Sequence, residues 1–140
     1  MIMNAKVNIV TKQYDENEKL DIIKLNTTAD VYYKNNDIYV VYKEEEEGNK
    51  TTSTIKISEN EVSIKRFGNT NSNMSFKKDN IDEIKYRTPQ GLFIIETKTT
   101  KLKIDKNEEK CIKLEIDYDI KIMDLFKGRN KVNILVEIKE

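Results

Sequence analysis

At 140 residues the chain is one domain's worth of sequence, long enough to bury a single core. Its 25 basic and 25 acidic side chains cancel, which removes the bulk electrostatic argument for nucleic acid. With no histidine and one cysteine, Ser-His-Asp chemistry, histidine-ligated metal, a cysteine zinc cluster and an internal disulfide are all excluded.

In chain order, the opening MIMNAKVNIVTKQYDENE lacks the basic start, apolar core and small-residue cleavage site of a secretion signal. No apolar run approaches the roughly eighteen residues of a membrane span. The chain therefore reads as cytoplasmic, with no membrane and no nucleic-acid partner. DENEKLDIIKL could form a short helix, but the β-branched and aromatic TTADVYY follows it. Apolar parity changes between Leu20/Ile22 and Ile23/Leu25, which predicts a β-bulge in the second strand. Asn35-Asn36 suits a two-residue hairpin, because asparagine tolerates positive φ. That register pairs Tyr33 with Ile38, Val31 with Val40 and Ala29 with Tyr42. After a turn at EEEEGNK (44–50), Glu59-Asn60 pairs Ile57 with Val62 and Ile55 with Ile64, and sets Arg66 opposite Ser53.

Further turns are expected at FGNTNSN (67–73), KKDN (77–80), TPQG (88–91), KNEEK (106–110) and FKGRN (126–130). For TPQG two registers stay open: a plain two-residue turn facing Tyr86 with Phe93, or a bulge at Gly91 facing Tyr86 with Ile94. IKLEIDYDIKI is the clearest strand, with Ile112, Leu114, Ile116, Tyr118, Ile120 and Ile122 on one face and charges on the other. The last segment repeats this with Val132, Ile134, Val136 and Ile138. About ten short strands, each with one apolar face and short turns, make residues 1–140 a single all-β domain. The expected fold is a closed antiparallel up-and-down β-barrel of about 8–10 strands, ahead of a sandwich. Such a barrel is filled by side chains or holds one small ligand.

Arg66 continues the inward face of Val62 and Ile64, and a buried guanidinium needs a partner. The functional reading is a cation meeting a ligand carboxylate or phosphate; the structural reading is an arginine closing one barrel end against carbonyls, Glu44 or Asp82. Tyr42, Tyr86 and Tyr118 also fall on inward faces, where they orient an acidic head group or simply pack. Phe76, Phe93 and Ile95 would then contact an apolar tail. The expected partner is a small acidic or amphipathic ligand, with no catalytic residue, metal or cofactor. The run Glu44–Glu47 lacks the spaced ligands of a calcium loop and reads as solvated. Cys111 has no activating neighbour. The rival reading is a solid barrel that binds protein, itself included as a homodimer, through the outward Tyr32, Tyr39 and Phe67 or a strand edge.

Across the chain, Tyr32-Tyr33, IYVVYKEE (38–45), Arg66-x-Gly68, Met74-Ser75-Phe76, Tyr86-x-Thr88-Pro89-x-Gly91, Thr97-x-Thr99 and Tyr118 occur in an order that resembles the bacterial YwiB-like family. That family is a domain of unknown function with a calycin-like barrel, and the resemblance covers roughly residues 5–138. It implies a lipocalin-like or fatty-acid-binding-protein-like barrel in a cytoplasmic bacterial protein, and it carries no activity with it. The Trp–Arg packing of lipocalin barrel ends has no counterpart here, since the chain has no tryptophan.

Overall fold

The structure, a computed structural model, describes residues 1–69 and 71–139. Ten strands follow one another: β1 (Met3–Asp15), β2 (Leu20–Lys34), β3 (Asp37–Glu46), β4 (Asn49–Ile57), β5 (Val62–Gly68), β6 (Ser72–Phe76), β7 (Ile81–Thr88), β8 (Gly91–Glu108), β9 (Cys111–Ile122) and β10 (Phe126–Lys139). They form a single antiparallel sheet in the order β6-β5-β4-β3-β2-β1-β10-β9-β8-β7. Because β1 pairs with both β2 and β10, the meander curls back on itself. The seam falls between β6 and β7, where the Asn71–Arg87 bridge joins the two sides, so the barrel is nearly closed.

Alternation builds the interior. Val7, Val31, Val40, Ile55, Ile116 and Val136 are fully enclosed, and Ile57, Val62, Leu114 and Ile134 pack beside them. Toward the end that carries the β1–β2, β3–β4, β5–β6, β7–β8 and β9–β10 turns, the inward positions change character. There the buried residues include Thr51, Ser53, Ser72, Thr97, Thr99 and Asn130. One half of the barrel is thus an apolar plug and the other a polar cup.

Turn chemistry explains most of the registers. Asn35 and Asn36 both take positive φ, 54° and 69°, and set Tyr33 against Ile38 and Val31 against Val40. Ile57 faces Val62, Ile55 faces Ile64 and Ser53 faces Arg66, all as expected. TPQG adopts the plain two-residue turn, with Tyr86 facing Phe93 and Ile84 facing Ile95. Thr88 Oγ1 accepts a hydrogen bond from the Gln90 amide and donates one to the Gly91 carbonyl, which holds that corner.

The short helix weighed for DENEKLDIIKL does not form; Asp15 Oδ1 accepts the Asn17 and Lys19 amides, each at 2.9 Å, and folds the segment into the β1–β2 turn. Three expectations are corrected. β2 carries no bulge against β1, since their pairing runs unbroken from Met3–Val31 to Tyr14–Leu20. Ile22 and Ile23 are both about half exposed, so burial does not impose one parity on that part of the strand. The register shifts lie in β8, at Thr99/Lys101 and Asp105/Glu108. The β9–β10 turn is Met123–Leu125 rather than FKGRN, and Gly128 lies inside β10, where a Cβ would meet the Tyr14 carbonyl and the Phe126 ring. Finally, Ala29 and Tyr42 do not pair, because the β2–β3 ladder stops at Asp30–Val41. Thr70, within the expected FGNTNSN turn, lies outside the described residues.

Candidate functional site

The end of the β2–β3 ladder creates the site. Beyond Asp30, β2 continues to Leu20 paired with β1, while beyond Val41, β3 continues to Glu46 paired with β4. The two strands part, and a slit opens in the wall beside the polar half of the interior. Ala5 and Ala29 face each other next to the point of parting, where larger side chains would narrow the gap.

Behind the slit, one row of inward side chains crosses three ladders: Tyr42 faces Ser53, Ser53 faces Arg66, and Arg66 faces Ser72. Arg66 Nη2 donates to Glu44 Oε1 at 3.2 Å, with the two side chains 36% and 31% exposed. A cleft of about 360 Å³ lies against this pair, lined among others by Leu25, Thr27, Glu44, Thr51, Arg66 and Asn69. A half-exposed pair held by one nitrogen and one oxygen contributes only about 0–1 kcal/mol, so another acid can take the place of Glu44 at little cost. Burial pushes the Tyr42 phenol up, the Glu44 carboxylate adds to this, and Ser53 and Arg66 act in the opposite sense. Ser53 Oγ is enclosed beside the Tyr42 hydroxyl and is the hydrogen-bonding group that lowers the Tyr42 pKa.

The other sequence-predicted residues fall into two separate groups. Phe76 and Tyr118 pack on one another in the core, ring centroids 4.8 Å apart and planes tilted by 43°. Asn130 Nδ2 donates to the Tyr118 hydroxyl at 2.9 Å. Burial raises the Tyr118 phenol pKa, against the pull of that hydrogen bond. Tyr86 and Phe93 face each other at the rim, half-buried, two pairs in from the Thr88–Gly91 corner. Of the expected ligand contacts, Arg66 and Tyr42 therefore share the slit and the others do not join them.

Sequence reasoning placed Ser53 opposite Arg66 without giving it a role, and it missed Asn130 by reading FKGRN as a turn. A serine and an asparagine at inward parity in otherwise apolar strands were the available signals. On the outside, Tyr32 and Tyr39 stack across β2 and β3, centroids 4.9 Å apart, with Lys56 Nζ 6.0 Å from the Tyr39 ring centroid. Phe67 is exposed on β5. Of the acidic run, Glu44 is held by Arg66, and Glu45, Glu46 and Glu47 are exposed.

Comparison with known proteins places this architecture. The family model described as Domain of unknown function (DUF1934) matches residues 7–134. The chain belongs to the DUF1934 family. A curated relative, "Uncharacterized beta-barrel protein YwiB" of Bacillus subtilis strain 168, is 30% identical over 117 residues, covering 84% of this chain and 82% of that protein. The crystal structure of the ywiB protein from Bacillus subtilis matches with a TM-score of 0.88 at 24% identity, over 99% of this chain and 94% of that one. This DUF1934 barrel is therefore similar to that structure in fold along its whole length.

Proposed function

We propose that this DUF1934 barrel is a non-enzymatic, cytoplasmic binder of a small acidic or amphipathic ligand, held at the slit rather than deep in the barrel. The carrying observation is the row Tyr42–Ser53–Arg66, whose Arg66 end lines a cleft beside the β2–β3 parting. The ligand's carboxylate or phosphate displaces Glu44 from Arg66 and gains both guanidinium nitrogens where Glu44 uses one. Leu25, on the cleft wall, meets the apolar part. The apolar plug contributes rigidity: Val7, Val40 and Ile55 are fully enclosed, and packed strands hold the row in place.

Octanoate, a single carboxylate on a short chain, is a suitable probe. Its titration followed by amide chemical shifts is expected to move Tyr42, Ser53 and Arg66 and to leave Ile116 unchanged. In an Arg66→Leu variant those shifts are expected to vanish. Shifts centred on the apolar core, or equal shifts in the variant, would refute the reading.

A second reading has one observation of its own. Among the described residues β7 pairs with β8 along its length and joins the β6 side through the Asn71–Arg87 bridge alone, so most of one β7 edge carries no ladder partner and offers a strand from a partner or a second copy a place to pair. Under that reading, affinity for the partner survives Arg66→Leu and is lost on placing proline at Lys85.

A further inference from the structure

The slit has an outer side, and its chemistry differs from the inner one. A second depression, of about 540 Å³, lies over the same parting of β2 and β3 and shares Thr27 and Lys43 with the inner cleft. It reaches inward to Ala5, Ala29 and Tyr42, so the two depressions adjoin at one gap. Three of its lining residues are lysines, Lys6, Lys43 and Lys139, and the carboxylate among them is Asp30.

The lysines come from three strands. Lys6 on β1 faces Glu137 of β10 and Thr28 of β2, Lys139 on β10 faces Asn4, and Lys43 on β3 faces Thr52 of β4. None of the three forms an ion pair among the described residues. Lys6 approaches Lys139 closely enough to hold the Lys139 ammonium below the ordinary lysine value, with burial adding to this and Glu137 opposing it. Two ammonium groups pressed together, with no ion pair to either among the described residues, favour an anion beside them.

We propose that Lys6, Lys43 and Lys139 form an outer anion-capture site at the mouth of the slit, through which a carboxylate- or sulfonate-bearing ligand enters on its way to Arg66. This rests on the reading of Arg66 as the inner anion site and adds the entry route. Cations clustered at a mouth raise the local concentration of an anion and speed its association, an effect that salt abolishes. The lysine side chains are exposed, so replacing them with glutamine leaves the barrel intact.

The test uses 8-anilinonaphthalene-1-sulfonate, an apolar fluorophore with one sulfonate, in stopped-flow mixing with the intact protein. The Lys6→Gln/Lys43→Gln/Lys139→Gln variant is expected to bind it about tenfold more slowly at low ionic strength, with dissociation unchanged. The wild-type association rate is expected to fall with added salt, and the variant's to stay flat. Equal association rates in the two proteins would overturn the capture site. So would absence of any probe binding to the wild type, which would remove the Arg66 reading as well. If Arg66→Leu binds the probe as tightly as wild type while the lysine variant still associates slowly, the inner site fails and the outer one stands.

Discussion

Replacing Tyr118 by phenylalanine separates architecture from ligand binding. The side chain is 7% exposed, and its hydroxyl accepts Asn130 Nδ2 at 2.9 Å. Asn130 is itself 6% exposed and has no other hydrogen bond from its amide nitrogen among the described residues. Removing the hydroxyl keeps the ring and its Phe76 contact but strands a buried amide, which costs about 1–3 kcal/mol. With a urea slope of about 2 kcal/mol per molar for a protein of this size, a 2 kcal/mol loss moves the denaturation midpoint down by about 1 M. Asn130→Leu strands the tyrosine hydroxyl instead and is expected to cost a similar amount. In the double variant both polar partners are gone, so most of the loss should return, giving a coupling of about 1 kcal/mol or more. The assay is urea unfolding at 25 °C of the four proteins, followed by circular dichroism. Additive single losses, or a Tyr118→Phe midpoint within about 0.2 M of wild type, would refute the assignment of this pair to the core.

The same burial predicts a pH response. Tyr42 and Tyr118 have phenol pKa values raised above the ordinary 10.0, so the folded state keeps protons that the unfolded chain releases. Stability is therefore whole below about pH 10 and falls as pH rises from there toward the folded values, and a urea midpoint that holds steady between about pH 8 and pH 11 would contradict this. Gly68→Ala is expected to lower stability by more than about 1 kcal/mol, because Gly68 sits at φ 129° and a Cβ would overlap the Lys50 carbonyl oxygen. Thermal unfolding checks it, and an unchanged midpoint would show that the end of β5 beside Lys50 relaxes. Ile55→Ala empties a fully enclosed position and is expected to cost about 2–5 kcal/mol, read by the same urea titration.

Much of the barrel was legible because local signals agree along the chain. Asn35-Asn36 and the Ser58–Glu61 turn fix registers that also put valine and isoleucine on one face, and IKLEIDYDIKI shows its buried side by alternation alone. The signal fails where a strand is not half-buried in the ordinary way. Ile22 and Ile23 lie on a partly exposed stretch of β2, so their parity suggested a bulge that the unbroken β1–β2 ladder rules out. Gly128 has the residue type of a turn but serves close packing against Tyr14 and Phe126.

The candidate site was legible residue by residue and not as an arrangement. Inward parity identified Arg66, Tyr42, Tyr86, Tyr118, Phe76 and Phe93, and it named Glu44 as a partner for Arg66, which is the bond observed. Parity reports the face of a strand and nothing about position around the barrel, so it grouped side chains that lie in the slit, in the core and at the rim. The parting of β2 from β3 is a tertiary event. β2 follows β1 toward the Asp15–Lys19 turn while β3 follows β4, and no local motif marks that divergence.

Native mass spectrometry on protein isolated from its own host, beside the Arg66→Leu variant prepared identically, tests the central claim most directly. The account predicts a stoichiometric extra mass of a small acid on the wild type and none on the variant. A bare chain mass in both proteins, or the same adduct in both, would contradict it.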